Sequence, residues 1–261
     1  GIWREATTAE EQAGEACTAN MNGYFNKDST RVCENSQFRE AHVYDFDVGV
    51  KDWFNPDVEY GTLNDKRDGR TYKTVTINGI TVMAENLNYA DEGKNSYLIG
   101  NNWCYNNDTA NCLKGGRYYT WTAAMDIDSK WQSATVPAGT IKTSHQGICP
   151  EGWHLPTAAE WDTLFTTVGG KSTAGNILKS QTGWCCDANG DDAYGFSALP
   201  VGFRHQSGYF EHFRDHAYFW SGDATLLVEK AGSMSLIAKD EYAYRSGSYK
   251  FFAYSVRCLQ D

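Results

Sequence analysis

The adjacent cysteines Cys185 and Cys186 are the residues of this 261-residue sequence with the least ordinary chemistry. Two neighbouring cysteines can bond to each other in a strained ring, bond to other cysteines, or join two chains. A bonded pair beside Trp184 would form a rigid apolar plate on which a sugar ring could stack. The pair has neither the CxxC spacing nor the helix start that lowers a thiol pKa, so we do not expect redox chemistry.

Side chains that carry oxygen follow this pair around Gly190; they are Asp187, Asn189, Asp191 and Asp192. Alternating oxygens about a glycine turn can wrap a hard cation, so calcium is the candidate cofactor, although the EF-hand pattern is incomplete. A turn rich in Asp and Asn would explain the same residues.

Three of the six histidines fall in the next segment, at His205, His212 and His216. On a helix, His212 and His216 would share one face and could hold a transition metal. The segment is aromatic and contains glycine, which favours a hairpin, where residues four apart lie much farther from each other. We therefore expect a solvated loop tip.

Aromatic residues beside arginines indicate function more strongly. On loops they offer flat apolar faces bordered by polar groups, which suits stacking on sugar rings. The candidate ligand-binding residues are Trp184, Cys185, Cys186, Arg204, Tyr209, Phe210, Phe213, Tyr242, Tyr244 and Arg245. The candidate core aromatics are Trp153, Trp161, Phe219 and Trp220.

No nucleophile, metalloprotease or phosphate-loop motif is present in the sequence. Glu85, Glu160 and Asp223 could supply a carboxylate pair for glycoside hydrolysis, but we expect them to be helix caps or surface charges. No catalytic residue is therefore assigned.

Composition limits the class of protein. A net charge of -10 disfavours nucleic acid as a partner, and no apolar run is long enough to span a bilayer. Eight cysteines, an even number, indicate disulfides and an oxidising compartment. The sequence begins at Gly1 without a methionine or an apolar leader, so we expect a secreted or cell-surface protein, associated with an outer membrane, whose export signal has been removed.

Three regions would position these residues. Residues 1–42 predict a helix at Thr7–Ala19 and a hairpin bounded by Cys17 and Cys33, residues 43–67 an acidic connector, and residues 68–261 the main domain. The main domain should open with a hairpin at Tyr72–Leu87 that turns at Asn78-Gly79. Two helices should follow, at Thr120–Ile127 and at Thr157–Val168, the second with a capping box. Short strands come later, so the fold class is α+β.

Several spaced phrases carry a family resemblance. They are DGRTYKTVTINGITVMAENLNYA, GRYYTWTAAM, CPEGWHLPTAAEW, GFSALPVGFR, AYFWS and YSVRC. Over Asp68–Asp261 the chain resembles the Fibrobacter succinogenes major paralogous domain, a family of exported bacterial surface or secreted proteins. The cysteine-bounded N-terminal segment is similar to one that often precedes that domain.

The phrases GWHLPTAAEW and VRC more distantly resemble the formylglycine-generating branch of the C-type-lectin-like fold. This resemblance implies small antiparallel sheets, termini that meet at one sheet and long loops that carry binding. With local spacing, it selects the disulfides Cys17–Cys33, Cys104–Cys112 and Cys149–Cys258, which leaves Cys185 and Cys186 for a bond to each other or for one of the alternatives above. The enzymes of that branch use two reactive cysteines near the C-terminus, whereas this sequence has only Cys258 there.

The functional expectation is a non-catalytic extracellular domain that binds a polysaccharide or another cell-surface ligand. Plant cell-wall polysaccharide is the favoured ligand, because the resembled family belongs to a fibre-degrading bacterial setting. One alternative is a surface adhesin or assembly module that binds protein. The other is an enzyme, either glycan-active or copper-dependent through Cys185 and Cys186.

Overall fold

The structure, a computed structural model, describes residues 53–261 together with the backbone of two short strands nearer the start of the chain. Those strands, β1 (Arg31–Glu34) and β2 (Gln37–Glu40), pair antiparallel. The helix expected at Thr7–Ala19 and the Cys17–Cys33 disulfide lie outside the described residues, and both stay predictions.

The first sheet of the main domain is built from strands that are distant in sequence. Its members are β3 (Gly61–Asn64), β4 (Thr71–Ile77), β5 (Ile80–Met83), β8 (Trp153–His154) and β15 (Leu259–Gln260). Their order is β3-β4-β5-β15-β8, and all neighbours are antiparallel. Asn78 and Gly79 turn between β4 and β5 with φ of 48° and 88°, the left-handed pair that a two-residue hairpin needs. The predicted hairpin is therefore present.

Residues 53–67 belong to the domain rather than to a connector, which corrects the boundary drawn from the sequence. Trp53 and Phe54 are buried, and β3 is an edge strand of the first sheet. The acidic residues between them suggested a solvated segment, but the apolar ones are covered by the domain. The connector can therefore extend no further than residue 52.

Two further sheets contain the remaining strands of the domain. The second contains β6 (Asn102–Trp103), β7 (Tyr118–Thr120), β9 (Phe203–Arg204), β10 (Phe210–Glu211) and β14 (Ala253–Tyr254), in the order β10-β9-β14-β7-β6. The third contains β11 (His216–Ala224), β12 (Lys230–Ile237) and β13 (Ala243–Tyr249), in that order. The strands of both sheets are antiparallel to their neighbours, so the late part of the chain forms short strands as expected.

Four α-helices occur in the described residues: α1 (Thr109–Gly115), α2 (Trp121–Ala124), α3 (Ala158–Thr167) and α4 (Lys171–Leu178). The capping box predicted for α3 is present, since Thr157 and Glu160 each accept a hydrogen bond from the other's backbone N–H. The helix expected at Thr120–Ile127 is reduced to α2. Helices α1 and α4 were not predicted.

The core forms around aromatic residues from all three sheets. Trp153, Trp161, Phe219 and Trp220 are buried, as predicted. The disulfides Cys104–Cys112 and Cys149–Cys258 lie where they were expected. The second joins residues 109 apart, and closing so long a loop lowers the entropy of the unfolded chain by the equivalent of about 5 kcal/mol. The arrangement is mixed α+β with small antiparallel sheets. None of the helices in the described part of the chain has the length and apolarity to cross a membrane.

Candidate functional site

Trp184 is a core residue and not a surface plate, which corrects the first candidate. Its side chain is buried among residues of α3, α4 and β11. Its indole Nε1 donates to the carbonyl oxygen of Ala198 at 3.1 Å and to Ser180 Oγ at 3.2 Å, so the ring faces inward. Burial of this large ring follows from its apolar area, and it leaves no face for a sugar.

A bond between Cys185 and Cys186, one of the alternatives that the sequence leaves open, is not formed in this structure, where both residues are free thiols. Their sulfurs are 2.9 Å apart, farther than a disulfide bond of about 2.05 Å. Cys186 is exposed and has a left-handed backbone with φ of 62°. Cys185 is partly buried, and burial together with its contact to Cys186 raises the pKa of its thiol to about 12.

Three of the four side chains expected to hold calcium accept hydrogen bonds from other groups, and they are Asn189, Asp191 and Asp192. Asn189 Oδ1 accepts from Trp184 N at 3.0 Å, and Asp191 Oδ2 accepts from Asn176 Nδ2 at 2.7 Å. Asp192 is buried, accepts from the backbone N–H and the hydroxyl of Ser197, both at 2.6 Å, and has a pKa that burial raises to about 6. Asp187 is exposed with φ of 56°. The turn interpretation explains these contacts.

Three candidates lie together near the start of β13, which is an edge strand of the third sheet. They are Tyr242, which precedes the strand, and Tyr244 and Arg245 within it. The two tyrosine rings are 4.9 Å apart between centroids, and Tyr244 donates its hydroxyl to Asp240 Oδ2. Arg245 forms a bidentate ion pair with Asp162, with N···O distances of 2.6 and 2.7 Å. These candidates already have partners within the chain.

The hairpin formed by β9 and β10 carries the remaining candidates. The Arg204 guanidinium lies over the Trp103 ring, 4.0 Å from its centroid. Phe210 and Phe213 contact the buried ring of Tyr105, with centroids 5.2 and 3.7 Å away. Tyr209 stands at the tip of the hairpin and is 72% exposed. Of these residues, Tyr209 has the most accessible ring.

A row of partly exposed rings adjoins this hairpin, and we call it the aromatic strip; it consists of His205, Tyr249, Phe251 and Phe252. The His205 ring lies 5.0 Å from Phe252, and Phe252 lies 5.7 Å from Phe251 and 5.6 Å from Tyr249. Phe251 and Tyr249 stack nearly parallel at 5.0 Å. Each ring contacts the next, so the strip is continuous.

Polar groups border the aromatic strip. Lys230 Nζ lies 4.9 Å from the centroid of Tyr249. Ser207 Oγ is 2.9 Å from His205 Nδ1, and Arg204 precedes His205 in the chain. Tyr209 lies opposite His205 in the hairpin, where its backbone carbonyl accepts from the N–H of His205 at 2.8 Å. The surface thus offers apolar ring faces beside hydrogen-bonding groups.

Tyr249, Phe251 and Phe252 are not among the ligand-binding candidates predicted from the sequence. His205 and Phe252 are far apart in sequence and meet because β9 and β14 pair at Arg204 and Ala253. No local pattern signals that pairing. Alternation along the strand could have suggested only that Phe203 and His205 share one face.

The carboxylates considered for glycoside hydrolysis accept backbone hydrogen bonds; Glu160 and Asp223 do so at the start of α3, whereas Glu85 is buried and is neither a helix cap nor a surface charge. Glu85 Oε1 accepts from the backbone N–H of Lys73 at 2.6 Å, and Glu160 Oε2 accepts from that of Thr157 at 2.7 Å. Asp223 Oδ2 accepts from the N–H of Ala158, the first residue of α3. Each stabilises a backbone group that would otherwise lack a partner.

His212 and His216 lie close together, contrary to the expectation for a hairpin. Their ring centroids are 4.5 Å apart, because the N–H of His216 bonds to the carbonyl of His212 at 2.9 Å and closes a tight turn. His212 and Arg214 within this turn have φ of 61° and 59°. With Asp215, the two histidines are the one group of metal-ligating side chains found in residues 53–261.

Comparison with known proteins gives one family. The family model described as the Fibrobacter succinogenes major domain matches residues 75–260. No curated protein and no solved structure gives a significant match. The matched residues include all three sheets of the domain except β3 and the start of β4.

Proposed function

Because this chain belongs to the Fibrobacter succinogenes major domain family, we propose that it is a non-catalytic extracellular domain that binds plant cell-wall polysaccharide. The aromatic strip and the neighbouring Tyr209 are the proposed binding surface. The observation that carries the proposal is the continuous contact of four partly exposed rings beside polar side chains. Such surfaces are suited to apolar sugar faces and their hydroxyl groups.

Two features support the extracellular location and the C-type-lectin-like fold that we propose for this domain. Disulfides such as Cys149–Cys258 form and persist in oxidising compartments. The first sheet unites β3–β5 from the start of the domain with β15 from its end, an arrangement that suits a C-type-lectin-like fold. In that fold the connections far from the shared sheet carry binding, and the β9–β10 hairpin belongs to such a connection.

Affinity electrophoresis through gels that contain cellulose derivatives, xylan, mannan or pectin tests the proposal. The variants Tyr209→Ala and Tyr249→Ala each remove one ring from the surface. If each ring contributes about 0.5–1.5 kcal/mol, the dissociation constant for the retained polysaccharide should rise ~2–12-fold. Tyr97→Ala is a matched control, since Tyr97 is 40% exposed, close to the 39% of Tyr249, and lies outside the proposed surface.

Two results would refute the proposal. One is the absence of retardation by every polysaccharide tested. The other is an equal loss of retention in Tyr97→Ala and in the strip variants. A release of reducing ends from any of the polysaccharides would identify an enzyme instead.

A further inference from the structure

The turn from β10 into β11 contains His212, Asp215 and His216, which the polysaccharide surface does not use. We propose that these residues bind one Zn²⁺ ion through three protein ligands, with a fourth position open to solvent. This site does not depend on the proposed function.

The distances between the candidate ligand atoms suit such an ion. One atom from each of the three residues lies within 4.8 Å of the other two. Asp215 Oδ2 is 2.8 Å from His216 Nδ1 and 3.8 Å from His212 Nδ1. In a tetrahedral site with metal–ligand bonds of ~2.0–2.1 Å, ligand atoms lie about 3.3 Å apart. The two distances bracket this value, so small side-chain rotations would admit the ion.

The types of ligand select zinc over a hard cation. Two imidazole nitrogens and one carboxylate oxygen form a common set for Zn²⁺ sites that keep a fourth position open, whereas calcium requires six or more oxygens. His216 Nδ1 is buried and has no well-aligned hydrogen bond within the described residues, although the Asp215 carboxylate is near. A metal ion between these two groups would satisfy both.

The backbone of the turn is fixed on several sides. The N–H of Cys185 bonds to Arg214 O at 2.8 Å, that of Ala238 to Asp215 O at 2.7 Å, and that of Gly202 to His216 O at 2.8 Å. These bonds hold His212 and Arg214 in the left-handed conformation, which costs about 1 kcal/mol or more for each residue with a side chain. The ligands are thus positioned before any ion arrives.

Neighbouring side chains orient the three ligands. The His212 ring stacks on Phe203 at 5.7 Å, and the His216 ring stacks on Tyr218 at 5.3 Å. Cys185 Sγ lies 3.9 Å from Asp215 Oδ1, so its thiol can donate to that oxygen and leave Oδ2 for the metal. Supporting groups of this kind are a regular part of metal sites. The His212 and Asp215 side chains are 42% and 44% exposed, which leaves the site open to water.

The decisive experiment is calorimetric titration of the chelator-treated protein with Zn²⁺. Wild type should bind one ion per chain. His212→Gln and Asp215→Asn should each weaken binding by at least ~10-fold, since the loss of a supporting group alone typically costs that much. His205→Gln is the matched control, because His205 lies in the same segment but outside the cluster, and its affinity should equal that of wild type.

Spectra with Co²⁺ in place of Zn²⁺ give a second measurement. A bound tetrahedral Co²⁺ should absorb strongly in the visible range in wild type and in His205→Gln, and weakly in Asp215→Asn. Circular dichroism establishes that each variant is folded. The proposal is overturned if wild type binds no Zn²⁺, if both ligand variants bind as tightly as wild type, or if Ca²⁺ competes equally. Polysaccharide retention after chelation reports separately on the aromatic strip.

Discussion

Replacing Arg257 by methionine should destabilise the domain more than any single surface change. The Arg257 side chain is fully buried, and its guanidinium lies over the neighbouring rings of Phe196 and Phe219, 4.8 and 5.5 Å from their centroids. It donates to Asn86 Oδ1 at 2.7 Å and to three backbone carbonyls, those of Met83, Phe196 and Ser197, at 2.6–3.0 Å. Burial lowers the pKa of Arg257, and charged partners oppose that shift.

The magnitude follows from the four acceptors that Arg257→Met leaves without this donor. At about 1 kcal/mol for each buried acceptor, the loss is about 4 kcal/mol, in the range found when one partner of a buried charged network is removed. Urea unfolding followed by tryptophan fluorescence measures this loss. With an m-value of about 3 kcal/mol/M, the midpoint should fall by about 1.3 M.

Arg245→Met is the matched control, because Arg245 also forms charged bonds but its side chain is 34% exposed. Exposed ion pairs contribute about 0–1 kcal/mol, and Asp162 keeps Lys171 as a second partner at 2.7 Å. Arg257→Lys retains a charge but not the planar fork, so its midpoint should lie between those of wild type and Arg257→Met. Equal midpoints for Arg257→Met and Arg245→Met would refute the reasoning.

Two further predictions concern titratable groups. The bond from His154 Nε2 to Glu160 and that from Nδ1 to Asp261 raise the pKa of His154 above its ordinary 6.5, so the stability they add is complete below pH 6.5 and is lost as pH rises through the folded-state pKa. Wild type should therefore lose more unfolding free energy between pH 6 and 9 than His154→Gln, measured by urea unfolding at each pH, and parallel profiles would contradict this. Iodoacetamide at pH 8 should alkylate exposed Cys186 well before Cys185, whose pKa burial raises to about 12. Timed peptide mass spectrometry, with Cys186→Ser as control, checks the order; equal rates would contradict the predicted order, and no labelling of either residue would contradict the free-thiol pair.

Local signals predicted the elements that local chemistry determines. The turn at Asn78-Gly79 and the capping box of Thr157 and Glu160 are examples, because each depends on residues a few positions apart. Helix α4 was missed because its start also depends on local residues, and these gave a signal that favours a helix end. Gly169-Gly170 signals the end of α3, but Gly170, with φ of 101°, is also the N-cap of α4.

Packing between residues distant in sequence determines which candidate site residues are exposed and which lie close together. The sequence contains little information about that packing. Trp184 was interpreted as part of a surface plate because it precedes the adjacent cysteines Cys185 and Cys186, but the core provides acceptors for its indole N–H. The approach of His212 to His216 needs positive φ at His212 and Arg214, residues that rarely adopt it. Bonds from three distant segments stabilise that turn.

The central position of β15 has a consequence for the order in which the domain can be made. Leu259 pairs with Val82 on one side and with His154 on the other. A ribosome that has reached residue 250 has therefore produced both β5 and β8, yet neither has β15 beside it. Open strand edges of this kind invite association with other chains. Until β15 is made, the open edges of β5 and β8 therefore remain available to other chains.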